Sequence, residues 1–250
     1  MTVGAQLFTL REYTQTEKDL DYSLGRVAKM GYETVQISAI GPIAPEKVRA
    51  LCDKHGLGIV LTHTPPDRIL YDTEAVIKEH DVMGCRYIGI GMMPQKYCSA
   101  EWLWHFADDY REAAKKIAAA GKLLMYHNHN VEFQRFGGKL VMESLLESFA
   151  PDELGFTLDT YWVQMGGGDV CRWMERLAGR IPCIHLKDMA VKGWEPVMAP
   201  VGEGNLDFGA ILELAERCGV EHLLVEQDVC QRSPFDCLES SYGYVKGLLG

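Results

Sequence analysis

The chain has 250 residues, 47% hydrophobic and 24% charged, which is enough to bury a large core within one domain of barrel type. A formal net charge of -10, with no Lys/Arg-rich stretch, argues against attraction to phosphate backbones or anionic membranes, so neither nucleic acid nor membrane is expected as a partner. The opening MTVGAQLFTL lacks the basic region and apolar run of a secretory leader, no segment approaches a membrane helix, and the scattered cysteines form no C-x-x-C pair, so a reduced, cytoplasmic protein is expected.

In chain order, eight short β-branched or aliphatic runs recur: VGAQLFT from Val3, ETVQIS from Glu33, GIVLTH from Gly58, RYIGIG from Arg86, KLLMYH from Lys122, LGFTLD from Leu154, IPCIHL from Ile181 and HLLVEQ from His222. Each has strand length. Between them lie amphipathic segments such as EKDLDYSLGRVAKMG, PEKVRALCDKHG, TEAVIKEHDVMG and AEWLWHFADDYREAAKKIAAAG, several of which stop at Gly as helices do. Apolar strands alternating with such helices predict a parallel sheet covered by helices. Eight units favour closure into a (β/α)₈ TIM barrel, a single α/β domain over 1–250, over a doubly wound open sheet. The longest irregular stretches, VEFQRFGGK and MAVKGWEPVMAPVGEGNL, follow the fifth and seventh strands, at the face where barrel active sites are built. The GEGNLD run at 202–207 lacks the strand-glycine-helix context of a dinucleotide site and reads as a turn with Asp207 capping the next helix.

Ionisable residues crowd the strand ends: His63 in THTPP, His127 and His129 in YHNHNVEF, Asp159 in LDTYW, His185 and Lys187 in HLKD, and Glu226 in VEQD. Burying these groups unpaired costs several kcal/mol each, so their convergence calls for ion pairs or a metal. A lone Asp or His at a strand end is more often a cap or a core hydrogen-bonding group. Asp159, His185 and Glu226 together, at the mouths of three separate strands, favour a metal site. Mixed imidazole and carboxylate ligation suits manganese, zinc, cobalt or iron better than calcium, and the open choice extends to magnesium. One divalent ion, Mn²⁺ first, is the expected cofactor. His127 and His129 share a strand face, and Glu132 follows within reach of the mouth. His63 is expected either to hold a substrate hydroxyl or to pin its turn. Lys187 is expected to orient a polyhydroxyl substrate or to form a salt bridge with Asp188 or Glu226. Trp162, beside Tyr161, is a candidate wall for a sugar ring, and Gln6 at the end of the first strand a candidate substrate contact.

The segments YHNHNVEF, LDTYWVQMGG, IHLKD, PVGEGNLDF and VEQD, in that order, resemble the sugar phosphate isomerase/epimerase family of the xylose isomerase-like TIM-barrel superfamily. The likeness covers essentially the whole chain, from GAQLFTLR and KMGYETVQIS onward. It implies one divalent metal, often manganese, with Asp159, His185 and Glu226 matching the last three of four ligands. Where many relatives have a first-ligand Glu in Glu-Asn-His, this chain reads His127-Asn128-His129. Either His127 binds the metal, or Glu132 reaches back to do so, leaving His127 and His129 for substrate or proton transfer. The carboxylate is preferred because it lowers the charge of the site and adds a second base.

The expected chemistry is proton abstraction next to the carbonyl of a keto-sugar or related polyol through an enediolate, with Glu226 and Glu132 on opposite faces and His129 as a further proton carrier. Isomerisation or epimerisation follows; expulsion of a β-substituent would make the protein a dehydratase or lyase instead. A sugar-binding barrel without catalysis and an abasic-site endonuclease are further alternatives, the latter disfavoured by the net charge. Self-association into a homo-oligomer is compatible with the sequence.

Overall fold

In the computed structural model, which describes all 250 residues, each of the eight apolar runs forms a strand of one barrel. These are β1 (Thr2–Gln6), β2 (Thr34–Ile37), β3 (Gly58–His63), β4 (Tyr87–Ile90), β5 (Leu123–His127), β8 (Leu154–Asp159), β9 (Cys183–Leu186) and β12 (His222–Val225), the intervening numbers belonging to two hairpins. All neighbours pair in parallel, and β1 pairs with both β2 and β12, closing the ring without an edge.

Ten helices complete the chain: α1 (Glu17–Met30), α2 (Pro45–Lys54), α3 (Pro66–Tyr71), α4 (Thr73–Met83), α5 (Leu103–Ala119), α6 (Val141–Ser148), α7 (Thr160–Met165), α8 (Val170–Arg176), α9 (Phe208–Arg217) and α10 (Pro234–Leu249). The start and stop of α1 follow from local chemistry. The Thr16 hydroxyl accepts from the Asp19 amide, and the helix ends at Gly31, whose φ of 105° is a left-handed conformation suited to glycine. Asp207 caps α9 by accepting from the Ala210 amide, as expected.

The two-residue period of a strand sorts its side chains between two cores. Outward residues such as Phe156 and Leu158, both fully buried, join a 59-residue cluster between barrel and helices, and burial of each is worth about 1.5–3 kcal/mol. Inward residues Leu61, Tyr87, Met125, Cys183 and Leu224 form a separate apolar floor inside the barrel. Two residues further along four of those strands stand His63, His127, His185 and Glu226, so the pleat that buries the floor also aims the polar layer above it.

Two expectations about local structure are corrected. The first strand ends at Gln6 rather than running on through LFT, because the Gln6 side-chain oxygen accepts from the Phe8 amide at 2.6 Å and turns the chain into a 3₁₀ segment over Leu7–Tyr13. The two stretches expected to be irregular each carry an antiparallel hairpin: β6 (Arg135–Phe136) with β7 (Lys139–Leu140), and β10 (Asp188–Lys192) with β11 (Glu195–Ala199). No helix is long and apolar enough to cross a membrane.

Candidate metal centre

Register brings the polar layer to one level. Asp159 is the partner of His185 across β8 and β9, while β9 pairs Leu186 with Val225 of β12 and so places Glu226 one step beyond. His127 ends β5, which pairs with β8. One nitrogen or carboxylate oxygen from each of His127, Asp159, His185 and Glu226 lies within 4.8 Å of the others, and all four residues are buried.

Each of the four offers one atom to this centre while another is held from behind. His127 Nδ1 is 2.8 Å from the Gly91 carbonyl, and its Nε2 faces Asp159 Oδ2 at 3.1 Å. His185 Nε2 donates to Gln36 Oε1 at 2.6 Å, which turns Nδ1 toward the centre. That Nδ1 lies 2.9 Å from Glu226 Oε2. Asp159 Oδ1 accepts from the Trp162 amide at 3.0 Å, and Glu226 Oε1 accepts from Gln6 Nε2 at 2.7 Å. Gly91 also gives room to a neighbour, since a Cβ there would sit 3.0 Å from the His63 ring.

These residues fit a divalent metal ion. His185 Nδ1 is buried without a hydrogen-bond partner and faces Glu226 Oε2 at 2.9 Å, and a ring nitrogen set against a carboxylate oxygen in a dry site is stabilised by a cation shared between them. Two imidazole nitrogens with two carboxylate oxygens are a donor set for manganese, iron, cobalt or zinc.

Lys187 reaches the same level, its Nζ 2.9 Å from both Asp159 Oδ2 and Glu226 Oε2 and 3.0 Å from Asp228 Oδ1. The pairing expected with Asp188 is not made. The Asp188 carboxylate instead accepts from the amides of Gly202, Gly204 and Leu206, fixing the 202–207 turn with groups that a phosphate loop would leave free.

Electrostatics follow from burial and these contacts. Burial alone would raise Asp159 and Glu226, yet the Lys187 ammonium and the neighbouring imidazoles hold both well below the usual carboxylate range. Burial would depress Lys187 and His185, but the facing carboxylates carry both upward. His127 is lowered by burial and by His185 beside it, and His63 falls well below the ordinary histidine value by burial. Burial, with His127 adjacent, takes His129 down to about 3. Asp228 rises to about 6 through burial and the nearby Glu226 charge.

The structure places Glu132 away from the four converging atoms. It is fully buried beneath the loop, accepts from the Tyr126 hydroxyl at 2.5 Å and the His129 amide at 2.7 Å, and burial pushes it up to about 7. The group of four converging donors includes His127 and not Glu132, whose two oxygens are each engaged by a donor from its own segment. His129 packs between His127 and Trp162, at ring separations of 4.7 and 5.1 Å. His63 holds Ser38 Oγ at 3.1 Å through Nδ1, and its ring lies tilted 5.2 Å from that of His127. His63 Nε2, His129 Nδ1 and Trp162 Nε1 are buried polar atoms without partners.

Sequence reasoning assigned no role to Gln36, Gly91, Asn128 or Asp228. Gln36 had a visible signal, since it is a polar residue two positions beyond Thr34 on the inward face of an otherwise apolar strand. Gly91 acts through its backbone carbonyl, and Asn128 through a side-chain Oδ1 that accepts from the Asp159 amide, contacts that sequence patterning does not reveal.

Comparison with known proteins bears on the whole of this architecture. The family model described as xylose isomerase-like TIM barrel matches residues 24–229. An inosose dehydratase of Geobacillus kaustophilus (strain HTA426) is 24% identical over 224 residues, covering 78% of this chain and 68% of that protein. Among solved structures, a sugar phosphate isomerase/epimerase from Parabacteroides distasonis ATCC 8503 superposes with a TM-score of 0.85 at 24% identity, covering 100% of this chain and 96% of the other. An L-ribulose 3-epimerase superposes with a TM-score of 0.76 at 16% identity, covering 99% and 94%. At these identities the structural likeness speaks for the fold.

Proposed function

This chain belongs to the xylose isomerase-like TIM barrel family, and on that premise we propose that residues 1–250 act as one such barrel, a divalent-metal-dependent enzyme that removes a proton next to the carbonyl of a keto-sugar or related polyol. The observation that carries the reading is the convergence of His127, Asp159, His185 and Glu226, each braced from behind, with His185 Nδ1 buried at the centre without a hydrogen-bond partner. A divalent ion held by these four, Mn²⁺ foremost, supplies Lewis acidity for the negative charge that grows on a substrate oxygen during deprotonation.

The chain's own groups do the rest. Glu226, kept ionised by Lys187 and His185, accepts the proton. Lys187, charged and locked among three carboxylates, orients Glu226 and Asp159. His63 Nε2, His129 Nδ1 and Trp162 Nε1 bind substrate hydroxyls, which gives these buried atoms the partners they lack within the chain. Gln6 holds Glu226 in place through its hydrogen bond.

Return of the proton to the neighbouring carbon gives aldose-ketose isomerisation, the leading reading. Epimerisation requires a proton carrier on the opposite face, and with Glu132 turned to Tyr126 that role falls to the His129 imidazole. A second reading is dehydration, in which the proton taken by Glu226 passes to the departing β-hydroxyl and leaves as water; like isomerisation it needs no second carboxylate, and the inosose dehydratase relative favours it.

Elemental analysis, joined to NMR of deuterium incorporation from heavy water into a panel of ketoses and inososes with and without chelator, tests the proposal. The expected result is near-stoichiometric metal and chelator-sensitive exchange. Protein with neither metal nor exchange would instead be a sugar-binding barrel without catalysis. Binding to abasic DNA at low salt would favour the nuclease alternative, against which the net charge of -10 argues.

A further inference from the structure

Beside the centre lies a second space that the proton chemistry does not use. A cavity of ≈ 240 Å³ opens between the segment following β1 and the segment following β12, with Thr9, Arg11, Tyr13, Asp228 and Arg232 among its walls. Asp228 links the two spaces, since it lines the cavity while its carboxylate stands 3.0 Å from Lys187 Nζ at the centre. Thr9 ties the same two segments together, its hydroxyl accepting from the Gln227 amide at 2.9 Å.

The walls have the chemistry of a neutral polyhydroxyl ligand. Arg232 is forked onto Glu203, and Asp228 is held by Lys187. Glu12 lies in the same wall as Arg11, so no surplus of positive charge remains. A phosphate here would meet the carboxylates of Asp228 and Glu12. A sugar hydroxyl, which both donates and accepts, finds partners of each kind. The Arg11 guanidinium is held over the Phe8 ring at 4.4 Å and donates to the Phe8 carbonyl, which fixes a planar donor group before any ligand arrives. Tyr13 makes a T-shaped contact with Phe235 at 5.2 Å and, as a cavity wall that is 43% exposed, offers aromatic surface to the apolar side of a ring.

We propose that this cavity is a subsite for a second, uncharged sugar ring, so that the substrate of the adjoining centre is a keto-glycoside or keto-disaccharide rather than a free keto-monosaccharide or a sugar phosphate. The inference rests on the keto-sugar reading given above.

Calorimetric titration with 3-ketoglucose and with a glucosyl-(3-ketoglucose) disaccharide tests it, on the wild type and on Val229→Trp, which narrows the cavity from an exposed wall position. The disaccharide is expected to bind roughly tenfold or more tightly than the monosaccharide, and the variant to lose that preference. Tyr13→Ala, which leaves the cavity open but removes its aromatic face, is expected to reduce the preference in the same direction. Equal affinity for the two sugars in the wild type, or a preference that survives in Val229→Trp, overturns the subsite. Deuterium exchange into the same two sugars separates this failure from that of the chemistry. Exchange with equal affinities leaves the proton chemistry standing without the subsite, whereas a binding preference without exchange leaves the subsite standing without the chemistry.

Discussion

Asp159 and His185 are register partners across β8 and β9, and Asp159 Oδ2 lies 3.7 Å from His185 Nδ1. Because the pairing is set by backbone hydrogen bonds, replacing either side chain removes a ligand without removing a rung of the barrel. Asp159→Ala or His185→Ala is therefore expected to lose metal and turnover together, on the order of a thousandfold or more, corresponding to ~4 kcal/mol of transition-state stabilisation. Parallel elemental analysis and kinetics check this, and near-normal turnover in either variant contradicts a catalytic metal.

Gln36 touches the centre only through the far nitrogen of His185. Gln36→Leu removes the acceptor that fixes which imidazole nitrogen carries the proton, and metal affinity is expected to fall about 10–100-fold with every donor retained. Gln36→Glu keeps an acceptor and should recover much of the loss. Competition against a chromophoric chelator measures both, and an unchanged affinity in Gln36→Leu would remove the case for this bracing.

Lys187 is the ammonium facing Asp159, Glu226 and Asp228, and it is 1% exposed. Lys187→Met strands that negative charge, so chelated protein is expected to lose about 3–5 kcal/mol of stability. A divalent ion offsets the same charge, so adding metal should raise the Tm of the variant more than that of the wild type. Scanning calorimetry with and without chelator reads both effects; equal metal-induced shifts would show that Lys187 and the ion do not answer the same carboxylates.

Glu132 sits at about 7, against an ordinary value of 4.5, because burial penalises its charge. A raised carboxyl favours folding in its protonated form, so its contribution is full below 4.5 and is lost as pH climbs through about 7. The loss is on the order of 3 kcal/mol. Glu132→Gln can keep both contacts, through an amide N–H to the Tyr126 oxygen and an oxygen for the His129 amide, without titrating. Urea unfolding across this window should show wild-type stability falling relative to the variant as pH rises; parallel profiles would mean the side chain is not held in a dry site.

The barrel was legible because its eight strands and their intervening helices differ in period, and because strand-end polar residues have few reasons to be buried. The convergence of Asp159, His185 and Glu226 was legible for the same reason, each standing at or next to the end of a mostly apolar strand. Which of His127 and Glu132 joins them was not legible. It depended on the path of the residues after β5, where Glu132 finds the Tyr126 hydroxyl and the His129 amide. A preference for carboxylate charge could not anticipate those two local donors. The β6–β7 hairpin escaped for a related reason, since strands of two residues leave no periodicity to read.

The bracing of the four donors has a consequence for how the barrel is divided. His127, Asp159, His185 and Glu226 all come from the second half of the chain, yet three of them are aimed by the first half: Gly91 behind His127, Gln36 behind His185 and Gln6 behind Glu226. One half supplies the grip and the other its orientation. Affinity for the ion therefore reports on how tightly the halves meet along the β4–β5 and β12–β1 seams, and loosening either seam weakens the grip with every ligand still in place.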